Sequence, residues 1–306
     1  MGAAPQTSAG ASAAAAAPSR ALGVLAMVAV AAIFTTNFVV SRYSVLHGLT
    51  PQDIVALRYA VAGPLLLPLF LGRGSAGWRS LGWWRGGVLT LLAGAPYMVL
   101  FYAGVELAPT SHAAVLNQGV VPSVVFFGLV WLGRERFAVL RVLGLCLIVV
   151  GLVLVTASSI DLGAGVLLGD VLLLLSGVSW GAFTLLAMLW NVRSLQAATA
   201  MAVLSLGYLP LYFGYWYDGF EDASVGHVIG QALQQGVLNS ILAMALLTFG
   251  VRTLGAQLAA LFSPAVPVLA TLAAIPRLGA LPPAGVGVGV GLVAVGMTAA
   301  ARGRRA

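Results

Sequence analysis

The chain is a succession of apolar runs, each about as long as a bilayer is thick and each closed by a polar or Pro/Gly break. They fall at about 22–44, 53–71, 83–103, 111–132, 139–157, 166–190, 196–216, 234–252, 255–275 and 283–301. A helix needs roughly 20 mostly apolar residues to cross the hydrocarbon core. The runs are continuous and do not alternate with period two, so they predict helices rather than barrel strands. With 306 residues in all, ten spans leave no room for a soluble catalytic domain. Only 8% of the residues are charged, too few to cover a water-exposed surface, against roughly 25% in soluble domains. Lipid must cover much of this one.

Charge then sets the topology. The basic residues are all arginine, and they lie singly or in small groups at span ends rather than in a patch, so no nucleic acid is expected as a partner. With the N-terminus placed inside, the cytoplasmic loops receive Arg20, Arg73, Arg79, Arg85, Arg134, Arg136, Arg141, Arg193, Arg252, Arg302, Arg304 and Arg305. The outer side receives Arg42, Arg58 and Arg277, and every acid but Glu135. That asymmetry is the positive-inside pattern. Nine or eleven spans would scramble it. Both termini are therefore expected in the cytoplasm. Residues 1–20 are a low-complexity Ala/Ser/Pro/Gly stretch and read as a disordered tail, and 303–306 as a basic one. The apolar run after the tail is long enough to span, which makes it a poor signal peptide. Cys146 is the single cysteine, mid-span, and is expected to be a buried packing residue.

Sliding the chain on itself by 145 residues aligns Pro122 in the fourth span with Pro267 in the ninth. The same offset brings Gly144 onto Gly289 and Gly151 onto Gly296, in the fifth and tenth spans. The expected architecture is all-α, ten transmembrane helices in two five-helix repeats, 21–157 and 158–302, around a central cavity. Five is odd, so the second half enters from the opposite side. Inverted repeats of this kind are a transporter architecture, with the substrate site near the midplane between the halves.

Several loose motifs occur in order along 22–301. Phe34-Thr35-Thr36-Asn37-Phe38-Val39-Val40-Ser41-Arg42 in the first span and Ala56-Leu57-Arg58-Tyr59 in the second come first. Ala108-Pro109-Thr110-Ser111-His112-Ala113-Ala114, Pro122 and Gly133-Arg134-Glu135-Arg136 follow around the fourth, and then the glycine-spaced fifth span. In these the chain resembles the drug/metabolite transporter superfamily, EamA type, and within it the YddG-type amino-acid exporters. The resemblance implies a basket of ten helices with the fifth and tenth at the periphery. It also implies transport of amino acids, sugars, nucleotides or similar metabolites. The Gly-Glu pair after the fourth span has no copy after the ninth, where Gly279-Ala280 follows Arg277.

Polar residues inside spans are costly and often functional. Asn37 shares a helix face with Ser41 and Ser44, either lining a polar path or joining helices. Arg58, and with less weight Arg42, could bind a substrate carboxylate; the alternative is pairing with Asp53 or Glu106, or snorkelling. His112 could titrate and couple transport to protons, or simply pack at an interface. An offset of 145 puts Gln257 opposite it, which favours cavity lining at both. Tyr97 and Trp180 lie mid-span, and with Phe101, Tyr102 and Phe183 they could wall a cavity; Trp78, Trp83, Trp84, Trp131 and Trp216 lie at span ends, as interfacial belts do. Pro96, Pro122, Pro210, Pro264 and Pro267 interrupt spans. The expected substrate-binding set is Asn37, Arg58, Tyr97, His112, Trp180 and Gln257.

No acid is expected deep in any span, so facilitated, gradient-driven movement is expected over obligatory proton exchange. An enzyme would need a serine–histidine pair, a metal motif or an acid–arginine–histidine cluster. His47, His112 and His227 all fall near the outer surface outside such motifs, and no catalytic residue, metal or cofactor is expected. The expected partners are a small-molecule substrate and membrane lipid, in a monomer or weak homodimer. A lipid-linked sugar flippase of the same fold is the alternative, and a purely structural subunit a third reading.

Overall fold

The computed structural model describes residues 20–72, 74, 78–135, 138–157, 163–255, 258–259, 262–278 and 283–302. The described residues are helical throughout, with no strand among them. Nine helices among them are long and apolar enough to cross a membrane: α1 Arg20–Val45, α2 Pro51–Leu71, α3 Trp83–Leu107, α4 Thr110–Trp131, α5 Val139–Ala157, α6 Ala164–Leu189, α7 Ser194–Tyr215, α8 Val225–Leu254 and, last, Ala284–Arg302. A shorter apolar helix, α9 Ala265–Leu278, precedes that last one, which is α10. The exterior is as apolar as the interior. Trp131 is 90% exposed and Val139 76%, positions that only lipid can solvate favourably.

Local chemistry fixes the ends. Thr50 caps α2 by accepting from the Asp53 amide at 3.2 Å, while the Asp53 carboxylate accepts from the Thr50 amide at 2.8 Å, and Pro51 occupies the first turn where no amide partner is needed. The other Asp53 oxygen accepts from the Tyr212 hydroxyl at 2.5 Å, which ties α2 to α7. Helix interruptions are likewise satisfied. The α3 helix breaks at Gly94, where a Cβ would sit 2.5 Å from the Thr90 carbonyl oxygen. The Ala95 amide freed there donates to Ser205 Oγ at 3.0 Å, and the Leu92 carbonyl accepts from Ser179 Oγ at 2.7 Å. Non-helical backbone survives in a membrane only where protein supplies such partners.

Two bundles emerge from the packing. One joins α3, α4 and α6; the other joins α1, α8 and α9; α2 and α7 lie against each other and against both. Exchanging the first five helices for the last five carries α1–α9 onto α6–α4, α3–α6 onto α8–α1 and α2–α8 onto α7–α3. It carries α2–α7 and α5–α10 onto themselves. Glycines make the last contact close. A Cβ at Gly144 would lie 2.7 Å from the Gly296 carbonyl oxygen, and one at Gly151 2.6 Å from that of Gly289. The α4–α6 contact uses the same device, since a Cβ at Gly177 would lie 2.6 Å from the Asn117 carbonyl oxygen. Such small residues let backbones approach where hydrocarbon offers no hydrophobic drive between helices.

The third span is two helical segments that meet at Gly94, with Pro96 in the first turn of the second, in line with the interruption expected at Pro96. Two other expectations are corrected here. The eighth begins at Val225, nine residues before the apolar run suggested, because Gln231, Gln234 and Gln235 are satisfied inside the protein and need no water. Cys146 is exposed on the outer face of α5 rather than buried, since the opposite, glycine face packs on α10.

Candidate functional site

The densest buried polar group lies where α1, α2, α3 and α8 meet. At its centre is Gln235, fully buried. Its Nε2 donates to Asn37 Oδ1 at 2.7 Å, Ser41 Oγ at 3.0 Å and Gln231 Oε1 at 3.2 Å. Its Oε1 accepts from the Tyr102 hydroxyl at 2.8 Å, Arg58 Nη1 at 3.0 Å and Asn239 Nδ2 at 3.3 Å. Asn239 Nδ2 also donates to Asn37 Oδ1 at 2.9 Å. Gln231, Gln235 and Asn239 are four residues apart, so one side of α8 carries all three. The backbone there winds as wide π-helical turns over Leu233–Leu242. Helix rise puts Arg58 about 10 Å and Gln235 about 15 Å from the N-terminal ends of their helices.

From this group a file of aromatic rings runs across α3 to α6. Phe38 meets Phe101 edge-on at 5.7 Å, Phe101 stacks on Tyr97 at 6.1 Å, Tyr97 meets Trp180 at 5.4 Å and Trp180 meets Phe183 at 4.9 Å. At the Tyr97 end lies a second polar group: Asn117 Nδ2 donates to Ser176 Oγ at 2.8 Å and to the Tyr97 hydroxyl at 3.3 Å. Farther out between α4 and α6, His112 Nδ1 lies 3.0 Å from Asp170 Oδ1, with both side chains buried. Arg42 bridges α1 and α3 by donating to the Val105 carbonyl at 2.7 Å and to that of Glu106. On the opposite side, the buried Arg141 guanidinium pairs with Glu135 and lies 4.6 Å over the Phe126 ring. A cavity of about 200 Å³ between α1 and α8 is bounded by Val40, Tyr43, Ser44, His227 and Gln231. Another, of about 570 Å³, lies between α9, α10 and the start of α5, beside Arg302.

Comparison with known proteins bears on this arrangement. Residues 21–157, which hold all of α1 to α5 but Arg20, match the EamA-like transporter family. The first half is EamA-like. Among curated proteins none matches the chain. A solved crystal structure of a protein aligns over 94% of this chain and 99% of its own length, with a TM-score of 0.59 at 19% identity, which is a likeness of fold. The EamA family consists of membrane transporters of small metabolites, not enzymes, and a multi-pass membrane protein is what the apolar helices form.

Within this fold the six expected site residues separate. Asn37 and Arg58 meet through Gln235, and Tyr97 and Trp180 meet in the aromatic file. His112 joins neither, being held by Asp170. Gln257 lies outside the described residues. The expectation that no acid lies deep in a span is corrected by Asp170, which is seven residues into α6 and fully buried, where the imidazole offsets its removal from water. His112 is buried, at the third residue of α4. Asp53 is taken by its cap and Tyr212, and Arg42 donates to the Glu106 backbone, with the Glu106 carboxylate acting on it through charge rather than a close ion pair. Gln231, Gln235 and Asn239 were missed as site residues. Their four-residue spacing, in a cluster of amides at the start of an apolar run, was the signal that could have found them.

Proposed function

We propose that the protein moves small zwitterionic metabolites, amino acids first among them, out across a bacterial inner membrane by alternating access. The observation that carries this is Arg58. Its guanidinium lies within a span, is only partly exposed, and takes the neutral oxygen of Gln235 as partner; among the described residues no carboxylate pairs with it. A positive charge held in a membrane without a counter-charge is costly unless something anionic visits it. A substrate carboxylate fits that role through a charge-assisted contact. The aromatic file beside it offers an apolar side chain a place to lie.

The two bundles supply the moving parts. The α3–α4–α6 bundle comes from both halves of the chain, as does α1–α8–α9, and the contacts between helices exchange with the halves. That pattern supports an inverted repeat and rocking of one bundle against the other around a fixed site, while the arginines at the span ends support both termini in the cytoplasm. Among the described residues the cluster around Arg58 holds no carboxylate, and the buried Asp170 lies apart from it against His112, which supports movement down a substrate gradient without obligatory proton exchange. Purified protein in liposomes loaded with an amino-acid mixture should take up labelled phenylalanine by counterflow, and should still do so after the pH difference is collapsed. Arg58→Ala should lower the rate about tenfold or more, the loss expected for a charged hydrogen-bonding partner. Counterflow unchanged in Arg58→Ala would overturn the reading.

A further inference from the structure

We propose that the Gln235 carboxamide is an internal stand-in for an α-amino acid, occupying the substrate's polar site until the substrate displaces it. The inference rests on the amino-acid reading above and assigns atoms to it. The oxygen of Gln235 accepts from Arg58 and Tyr102, a guanidinium and a phenol, the donor types that bind a carboxylate. Its nitrogen donates to Asn37 Oδ1 and Ser41 Oγ, acceptors of the kind that bind an ammonium. One carboxamide thus meets both sets at once.

A second observation points to the missing ligand. Asn239 is 2% exposed, and its Oδ1 is buried with no donor in reach. A buried acceptor left empty costs about 1–3 kcal/mol, so such atoms normally have a partner. A carboxamide nitrogen has two hydrogens to give, whereas an ammonium has three. The Gln235 nitrogen already spreads its two hydrogens over three acceptors, Asn37 Oδ1, Ser41 Oγ and Gln231 Oε1, and the unpartnered Asn239 oxygen is a fourth, so a third hydrogen has an acceptor to take it. Arg58 is mismatched in the same sense, because a neutral oxygen holds a guanidinium less strongly than a carboxylate does. Both mismatches vanish when an amino acid replaces the side chain.

The backbone allows the exchange. Gln235 lies in the π-helical stretch Leu233–Leu242, a wound form that recurs at functional sites because it differs from the α-helix by a local shift. Tightening it turns Gln235 relative to the α1 partners without parting α8 from the bundle. The cavity of about 200 Å³ beside Gln231, the residue one turn away that accepts from Gln235, adjoins this segment.

Displacement predicts an unusual sign. A residue that merely contacts substrate weakens binding when removed, whereas a stand-in strengthens it. If the occupied state holds about nine-tenths of the population, removing the competitor tightens binding about tenfold. The probe is L-phenylalanine, titrated calorimetrically into the full chain in nanodiscs, with its methyl ester and its N-acetyl derivative beside it. Gln235→Ala should bind phenylalanine about tenfold tighter than wild type, and both proteins should discriminate against ester and N-acetyl forms. Gln235→Asn, whose amide is one methylene short of bridging both sets, should fall between and covers the case in which the alanine variant fails to fold. Binding that is unchanged or weaker in either folded variant, while wild type binds and shows counterflow, overturns the stand-in and leaves the transport reading. Absence of both phenylalanine binding and amino-acid counterflow in wild type overturns the two together.

Discussion

Adding one methyl group to either face of α10 should have opposite effects on stability. At Gly289 and Gly296 a Cβ would stand 2.8 and 2.5 Å from the carbonyl oxygens of Gly151 and Gly144, where ordinary contacts begin at 3.4 Å. The obstacle is backbone on a facing helix, which cannot rotate aside. The α5–α10 seam must then open by several tenths of an ångström over adjacent turns. Overpacking of this kind costs about 1–3 kcal/mol. Alanine returns about 0.5–1 kcal/mol by stiffening the unfolded chain relative to glycine, so Gly289→Ala and Gly296→Ala should lose about 1–2 kcal/mol net. At Gly285, Gly287 and Gly291 nothing lies within 4 Å of a Cβ, so only the favourable part applies and alanine should be neutral to slightly stabilising. Gly144→Ala and Gly151→Ala, on the facing helix, should repeat the loss. The assay is the apparent thermal midpoint of purified protein in one detergent, with all seven variants run side by side. If Gly287→Ala and Gly289→Ala shift the midpoint in the same direction by the same amount, the seam is not where stability is held and the reasoning fails.

Two other outcomes follow from the geometry. Asp170→Ala removes the carboxylate that His112 meets at 3.0 Å and should lower the midpoint, as should His112→Ala; each loss is about 1–3 kcal/mol and the double variant should lose less than their sum. Additive losses would mean the two side chains act independently. Reporter fusions after Gly219 should report outside and those after Gly74 and Arg193 inside, and one reversed orientation would break the ten-span arrangement.

What the sequence determined by itself was everything that depends on solvent and on the length of one element. Twenty-residue apolar runs with few charges can only be helices in lipid, because every backbone group must find its partner within its own segment. The glycines of α5 and α10 were legible as a packing device, since a missing side chain declares itself at any depth. Aromatic residues at mid-span pointed to the file that Tyr97 and Trp180 form. Tertiary structure alone decided which polar residue meets which. Gln235 is 177 positions from Arg58 and 133 from Tyr102, and nothing local to any of them encodes that meeting. Asp170 looked like an outer-rim acid until α4 brought His112 against it. Arg42 looked free to bind substrate until the end of α3 presented two carbonyls to it. Hydrophobicity is summed along a chain and survives without partners, whereas a hydrogen bond exists only between two groups, and the fold chooses the second.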